Sequence, residues 1–228
     1  MRGELLDLLS PAWRIMLLSD GSVTRHLRLL CPKLQCTQLE CVRQGPIGDF
    51  ASAGGARAMP ADVQLIKGEL VQREVLLRIS EESDGVCGDT CGDADGDEVG
   101  DEVGDGTDDA NNAKKVGAKK TKTTPAVYAA SWWSKNDFAT FMTDSQSPMW
   151  TNLRTQNVEL YREVRMVYYG DNEALGDIFE MRGPFWGRHY IFWHEKKPMC
   201  VVYEVFNPRL QKQLGPSEPR RNKTMNTL

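Results

Sequence analysis

Long apolar runs are missing from this chain. No stretch approaches the about eighteen consecutive apolar residues that a membrane-crossing helix needs, so no membrane span is expected. The first residues also lack the charged, apolar and small-residue series of a secretory signal. Nor do they show the Arg- and Ser-rich, acid-poor composition of an organelle transit peptide, because Glu4 and Asp7 sit in a Leu-rich run. Either there is no targeting segment or this N-terminus is incomplete. A soluble protein is expected on either reading. Cysteine is sparse: six residues, at positions 31, 36, 41, 87, 91 and 200, contain no CxxC pair and lack the dense spacing of a disulfide framework. A reducing compartment is the simpler expectation.

Chemistry-bearing motifs are scarce as well. There is no nucleophile-elbow serine, no phosphate loop and no dinucleotide fingerprint, which leaves chemistry without a cofactor. Histidine occurs three times, at His26, His189 and His194, in a spacing that matches no metal-ligand motif; structural or surface roles are expected for all three. Asp93, Asp95 and Asp97 match the first three ligand positions of an EF-hand loop. Glu98 then stands where the loop needs Gly, and Gly104 where it needs a bidentate Glu, so no specific calcium site is expected. Cys87 and Cys91 have no second Cys pair or His near them, which argues against zinc. No metal is expected at all.

What the chain does have is enough apolar content, 40% over 228 residues, to build one compact domain. Its formal charge of -4 is misleading, because residues 84–109 hold eleven Asp or Glu and no Lys or Arg. Five lysines follow at once, between Lys114 and Lys122. Outside these two runs, acid and base nearly balance, so nothing calls for nucleic acid. The run is rich in Gly and Asp, with the repeat Gly-Asp-Glu-Val-Gly-Asp-Glu-Val-Gly over 96–104. It lacks the apolar surface that would offset ordering entropy, and residues 84–124 are read as a disordered insertion. The tail over 215–228, Pro-rich and basic, is read the same way.

The remainder is read as one domain, 1–83 joined to 125–214. Leu5, Leu6, Leu8, Leu9, Ala12, Trp13 and Met16 recur at helical spacing, interrupted by Pro11. After Asp20-Gly21, Ser22 is placed to cap a helix whose apolar face is Val23, Leu27 and Leu30. Gly45 to Pro60 reads as loop. Strands are expected over Leu70–Ile79, Val127–Trp133, Leu160–Tyr169, Arg188–His194 and Met199–Phe206, with a short amphipathic helix over Asn172–Glu180. The fold class is α+β, with a largely antiparallel sheet of about six strands. The insertion falls between two expected strands, in a hairpin turn, where extra length costs little.

Alternation along two strands exposes an anomaly. Arg73 shares a face with Val75, Leu77 and Ile79, and Glu204 shares one with Cys200, Val202 and Phe206. Both charges point where the apolar residues point. Such a charge needs a partner or a ligand. A buried Arg73–Glu204 ion pair and strand ends reaching solvent are the structural alternatives to a binding site. Arg188 raises the same question, on a face with Trp186, Tyr190 and Phe192.

Four segments in order are similar to the chorismate pyruvate-lyase family, especially its plastid and cyanobacterial branch. Leu18-Ser-Asp-Gly-Ser-Val-Thr-Arg-His-Leu27 resembles the early turn and helix, and Arg73-Glu-Val-Leu-Leu77 the strand that carries the family's arginine. Gly183-Pro-Phe-Trp-Gly-Arg-His-Tyr190 resembles the Trp-Gly-Arg segment. Lys197-Pro-Met-Cys-Val-Val-Tyr-Glu-Val-Phe-Asn-Pro208 resembles the last strand, which carries a Glu shortly before a Pro. The resemblance runs from about residue 10 to 214, the acidic run excepted. It implies an antiparallel sheet whose face, covered by helical flaps, encloses a small aromatic ligand. It also implies elimination of pyruvate from chorismate to give 4-hydroxybenzoate, by a monomer in a plastid or the cytoplasm.

The resemblance further assigns roles. Arg73 would grip the ring carboxylate with its planar guanidinium. Glu204 would face the hydroxyl and the departing ether, as acid or hydrogen-bonding partner. Val23 falls where an apolar residue at a helix start contacts ligand, and Met149, in Pro148-Met149-Trp150, falls where the family has Leu after Pro. That segment departs from the family's Pro-Leu-Gly, which makes the Met149 contact the least supported of the four. An effector-binding domain of the same architecture, as in bacterial transcription regulators, is the alternative from another class. Such domains follow a DNA-binding helical domain, and none is expected before residue 10 or after Gly215. An isochorismate or related lyase is a third possibility, separable by substrate.

Overall fold

Residues 9–31, 34–51, 59–81 and 123–217 are described in the computed structural model of the protein. Six strands, β1 (Leu34–Pro46), β2 (Leu70–Glu81), β3 (Thr123–Ser134), β4 (Tyr161–Gly170), β5 (Phe185–His194) and β6 (Lys197–Phe206), make one sheet. The order is β1-β2-β3-β6-β5-β4, and every neighbouring pair is antiparallel. The expected α+β single domain is what the chain forms. Among the described residues seven helices accompany the sheet: α1 (Pro11–Leu18), α2 (Val23–Leu30), α3 (Gly48–Ala51), α4 (Lys135–Phe141), α5 (Met149–Thr155), α6 (Glu173–Phe179) and α7 (Gln211–Leu214). Single 3-10 turns lie at Ala61–Leu65 and Pro208–Leu210. Among the described residues no helix is long and apolar enough to cross a membrane.

A capping side chain starts three of these helices. The Ser10 hydroxyl accepts from Trp13 N at 3.3 Å, and Pro11 holds the first position of α1. Ser134 accepts from Asp137 N at 3.0 Å to open α4, and Asn172 accepts from Leu175 N at 3.0 Å to open α6. Ser22 stands before α2 as expected, but its side chain makes no capping bond, so the first N–H groups of that helix keep no side-chain partner.

Both faces of the sheet are covered, which explains why β5 and β6 are buried along nearly their whole length instead of alternating with solvent. One face carries α6 and the turn at Ala61–Leu65, packed on Leu76, Tyr128, Trp132, Ile191, Val201 and Val205. The other face carries two separate covers. α1 and α2 pack on Leu77, Ile79, Val127, Trp186 and Phe206. Residues of α4 and α5 pack on Trp133, Tyr190, Phe192, Cys200 and Val202. The gap between these covers is where a ligand pocket can form.

Three sequence expectations are corrected. The segment from Gly45 is not all loop: β1 runs to Pro46 and α3 follows, while residues 52–58 lie outside the described residues. β1 itself escaped the sequence because it is an edge strand whose second half alternates Leu39, Cys41 and Arg43 with exposed Glu40, Val42 and Gln44, a weak apolar signal. Residues 215–217, expected in a disordered tail, belong to the fold. The Gly215 and Ser217 carbonyls accept from Trp13 Nε1 at 3.0 Å and Trp186 Nε1 at 2.6 Å, which holds residues 215–217 against α1 and β5. The expected disorder over 84–124 falls almost wholly on residues 82–122, outside the described residues, as do residues 1–8 and 218–228. β2 and β3 pair as far as Ser80 and Thr123, so the acidic run does connect two adjacent antiparallel strands.

Candidate active site

Between the two helical covers lies a cavity of about 80 Å³. Its floor is the sheet: Arg73, Val75 and Leu77 from β2, Ala129 and Ser131 from β3, Val202 and Glu204 from β6, Tyr190 and Phe192 from β5, and Arg162 from β4. Its walls are two helix beginnings, Ser22 to Thr24 at α2 and Pro148 to Trp150 at α5. The site residues expected from sequence, Val23, Arg73, Met149 and Glu204, therefore line one pocket. They come from four elements far apart in the chain.

Arg73 is buried, 3% exposed, and is not paired with Glu204. Its Nη2 donates to the carbonyl oxygens of Ser145 at 2.7 Å and Ser147 at 3.1 Å. Those carbonyls belong to the loop that leads into α5. The loop is itself clamped by buried Asn152, whose Oδ1 accepts from Asp144 N at 2.8 Å and whose Nδ2 donates to Asp144 O at 2.9 Å. Arg73 thus ties the segment carrying Met149 down onto the sheet. Its Nε makes no hydrogen bond among the described residues. Burial draws its pKa below the ordinary value, partly offset by Cys41 and Asp144.

Glu204 is paired within the sheet. Arg188, directly opposite on β5, donates from Nε to Oε2 at 2.8 Å, and the Tyr190 hydroxyl donates to Oε1 at 2.9 Å. Arg188 is fully buried, and its Nη1 also donates to the Ser19 carbonyl at 2.9 Å. Burial, and then the Glu204 charge, push the Tyr190 phenol far above its ordinary pKa, so it remains a donor. Of the sequence alternatives for the inward charges, the ion pair exists, but its partners are Arg188 and Glu204. Cross-strand register decides this, since Arg188 faces Glu204 while Arg73 faces Ser131.

A third guanidinium went unnoticed in the sequence. Arg162, 9% exposed, is the second residue of β4, and its cation lies 4.4 Å from the Tyr190 ring centre and 4.7 Å from that of Phe192. Its Nη1 donates to the Gly21 carbonyl, and its Nε is buried with no hydrogen-bond partner among the described residues. Alternation of Arg162 with Val164 was the available signal. It is faint, because the rest of β4 is half polar and a register shift interrupts the strand after Val164. Three buried guanidiniums against one buried carboxylate leave the pocket with an excess of positive charge, which an anionic ligand would neutralise.

The histidines fill structural places. His26 meets the Ser19 hydroxyl at 3.3 Å and is kept below its ordinary pKa by burial and by Arg188 and Arg162. His189 bridges Asp62 at 2.8 Å and the Tyr168 hydroxyl at 2.6 Å, and His194 Nδ1 lies 3.0 Å from the Glu159 carbonyl. Among the described residues no group of three His, Cys, Asp or Glu is placed to hold a metal. Asp93, Asp95, Asp97, Cys87 and Cys91 lie outside the described residues.

Comparison with known proteins places this geometry in context. The family model described as Chorismate pyruvate-lyase Rv2949c-like matches residues 17–85 and 96–214. An uncharacterized protein ycf21 of Cyanophora paradoxa is 26% identical over 201 residues, covering 88% of this chain and 79% of that protein. The uncharacterized protein ycf21 of Porphyra purpurea is 28% identical over 85 residues, 37% of this chain and 49% of its own length. Among solved structures, the ligand-binding domain of a protein assigned to the GntR family of transcriptional regulators, from Bordetella bronchiseptica, superposes with a TM-score of 0.41 at 11% identity, over 83% of this chain and 86% of that one.

Proposed function

The chain belongs to the chorismate pyruvate-lyase Rv2949c-like family, and from that premise we propose that it eliminates pyruvate from chorismate and leaves 4-hydroxybenzoate. The observation that carries the proposal is the charge of the pocket. A small cavity lined by apolar and aromatic side chains holds two guanidiniums with unused buried N–H groups, and a carboxylate between them. Chorismate is a small dianion with a ring hydroxyl, which matches this set in charge and in polar groups.

The chemistry asks little else of the protein. The C3–O bond breaks, C4 gives up its hydrogen, the ring becomes aromatic, and the enolpyruvyl group departs with one hydrogen more as pyruvate. No water, redox equivalent or added group enters the balance. The protein's task is to hold the dianion in the reactive conformer and to exclude water. Arg73 takes the ring carboxylate through its unused Nε, and Val23 lines the wall of the cavity at the start of α2. Glu204, whose oxygens already accept from Arg188 and Tyr190, serves as an acceptor that orients the C4 hydroxyl. Met149 closes the pocket from α5. The product would enter quinone synthesis, and the resemblance to the family's plastid branch supports a plastid location.

Incubation of the full chain with chorismate, following pyruvate and 4-hydroxybenzoate together, is the test. Equal amounts of both are expected, with kcat/KM lowered roughly 10- to 150-fold by Arg73→Ala, the range for loss of charged hydrogen bonds. A similar loss is expected for Glu204→Gln. Full turnover by both variants would reject the assignment of these two residues. Tight binding of 4-hydroxybenzoate without any pyruvate would make the protein a sensor instead.

A further inference from the structure

We propose that Arg162 is the clamp for the second carboxylate of the substrate, the one on the side arm that leaves, and so the residue that distinguishes substrate from product. This rests on the chorismate reading of the site and deepens it. The argument starts from which N–H groups each arginine has left to offer.

A guanidinium grips a carboxylate best through two parallel N–H groups on one edge. On Arg73 such an edge is not free, because Nη2 already serves the carbonyls of Ser145 and Ser147, which leaves Nε alone on that side. Arg188 spends Nε on Glu204 and Nη1 on Ser19. Arg162 is arranged differently. Its single hydrogen bond among the described residues runs from Nη1 to the Gly21 carbonyl, so the edge formed by Nε and Nη2 is unused. The face of the guanidinium rests on Tyr190 and Phe192, which fixes its plane and leaves in-plane bonding to the open edge.

Position agrees with chemistry. Arg73 stands on β2, Glu204 on β6 and Arg162 on β4, so the carboxylate's strand is two strands from each arginine's. At ~4.8 Å per strand the two arginine backbones are roughly 19 Å apart along the sheet. Both side chains nevertheless line one cavity, and Glu204 stands on its floor on the strand midway between theirs, near which the hydroxyl and the breaking ether would lie. Arg162 also holds the turn before α2 through Gly21, next to the uncapped N–H groups of Val23 and Thr24 on the same wall of the cavity. The departing carboxylate is thus received by a set of donors that 4-hydroxybenzoate, with one carboxylate, does not need.

The test separates the two ligands. In Arg162→Gln, the KM for chorismate, or its Kd by calorimetry where turnover is slow, should rise at least 30-fold, while the Kd for 4-hydroxybenzoate changes less than threefold. Arg162→Lys should recover less than half of the loss on a logarithmic scale, because a point charge lacks the paired edge. Arg73→Gln should weaken both ligands. Equal weakening of chorismate and 4-hydroxybenzoate by Arg162→Gln, or no effect on either, would overturn the assignment. Should Arg162→Gln fail to fold, as judged by its thermal melt, the Lys variant carries the same comparison with the same two outcomes. Wild-type protein that binds both ligands without releasing pyruvate would remove the lyase reading and leave the Arg162 comparison intact. Wild-type protein that binds neither ligand would remove both.

Discussion

At the scale of single residues, the pocket is a place where buried charge is tolerated because each charge is nearly, but not fully, answered. Arg188 and Glu204 answer each other across β5 and β6, with the Tyr190 hydroxyl and the Ser19 carbonyl as further partners, while Arg188 Nη2 is buried without a hydrogen bond among the described residues. A pair this deep contributes little net stability, yet removing one member strands the other. Glu204→Ala is therefore expected to lower unfolding free energy by about 3–5 kcal/mol, measured by urea titration. Glu204→Gln, which keeps volume and an acceptor, should cost clearly less. Adding Arg188→Met to Glu204→Ala should recover stability, since the stranded charge is gone, while activity stays lost. A double variant weaker than Glu204→Ala alone would mean that Arg188 holds the Ser19 turn more strongly than its charge costs. Legibility at this scale followed strand period. Arg73, Glu204 and Arg188 were visible as charges on apolar faces because their strands are densely apolar, whereas Arg162 sits in a strand too polar to make it stand out.

At the scale of elements, the sequence showed what has local chemistry and missed what depends on packing. The central strands, α1, α2 and α6 were legible from apolar period and capping residues. The edge strand β1 and the short helices α4 and α5 were not, because they are shaped by what they lie against: α5 begins where Arg73 and Asn152 hold its leading loop. The pairing of Arg188 with Glu204, not with Arg73, was equally out of reach, since register across a sheet is a property of two strands together. Gly187 shows how tightly that register is set. It faces Val205 on β6, and a Cβ there would lie 2.9 Å from the Glu204 carbonyl oxygen and 3.3 Å from a Val205 methyl. Backbone cannot give way as a side-chain tip can. Gly187→Ala should therefore part β5 from β6 and cost about 1–3 kcal/mol, as overpacking does. It should also lower kcat/KM, because Arg188 and Glu204 flank the strained point. A variant with the wild-type urea midpoint would show that the strands adjust without strain.

At the scale of the whole molecule, the question is what the acidic run between β2 and β3 does to the domain. The strands it joins are paired up to Ser80 and Thr123, so its two ends meet at neighbouring positions of the sheet. The cavity draws on Arg73, Val75 and Leu77 of β2 and on Ala129 and Ser131 of β3, several residues back from that end of the hairpin. The run is poor in apolar residues, and its eleven acidic residues outnumber the five lysines that follow. Its thermodynamic effect is then mainly loop closure, in which each halving of length returns about 0.6 kcal/mol. Replacing residues 84–121 with a short Gly- and Asn-containing turn should raise stability by roughly 1–2 kcal/mol and leave kcat/KM for chorismate within about twofold. Urea titration and steady-state kinetics on the shortened chain check both parts. Lower stability or a large fall in kcat/KM would mean that the run contacts the folded domain, and that its charge, placed beside a pocket with an excess of arginine, takes part in admitting or rejecting anions.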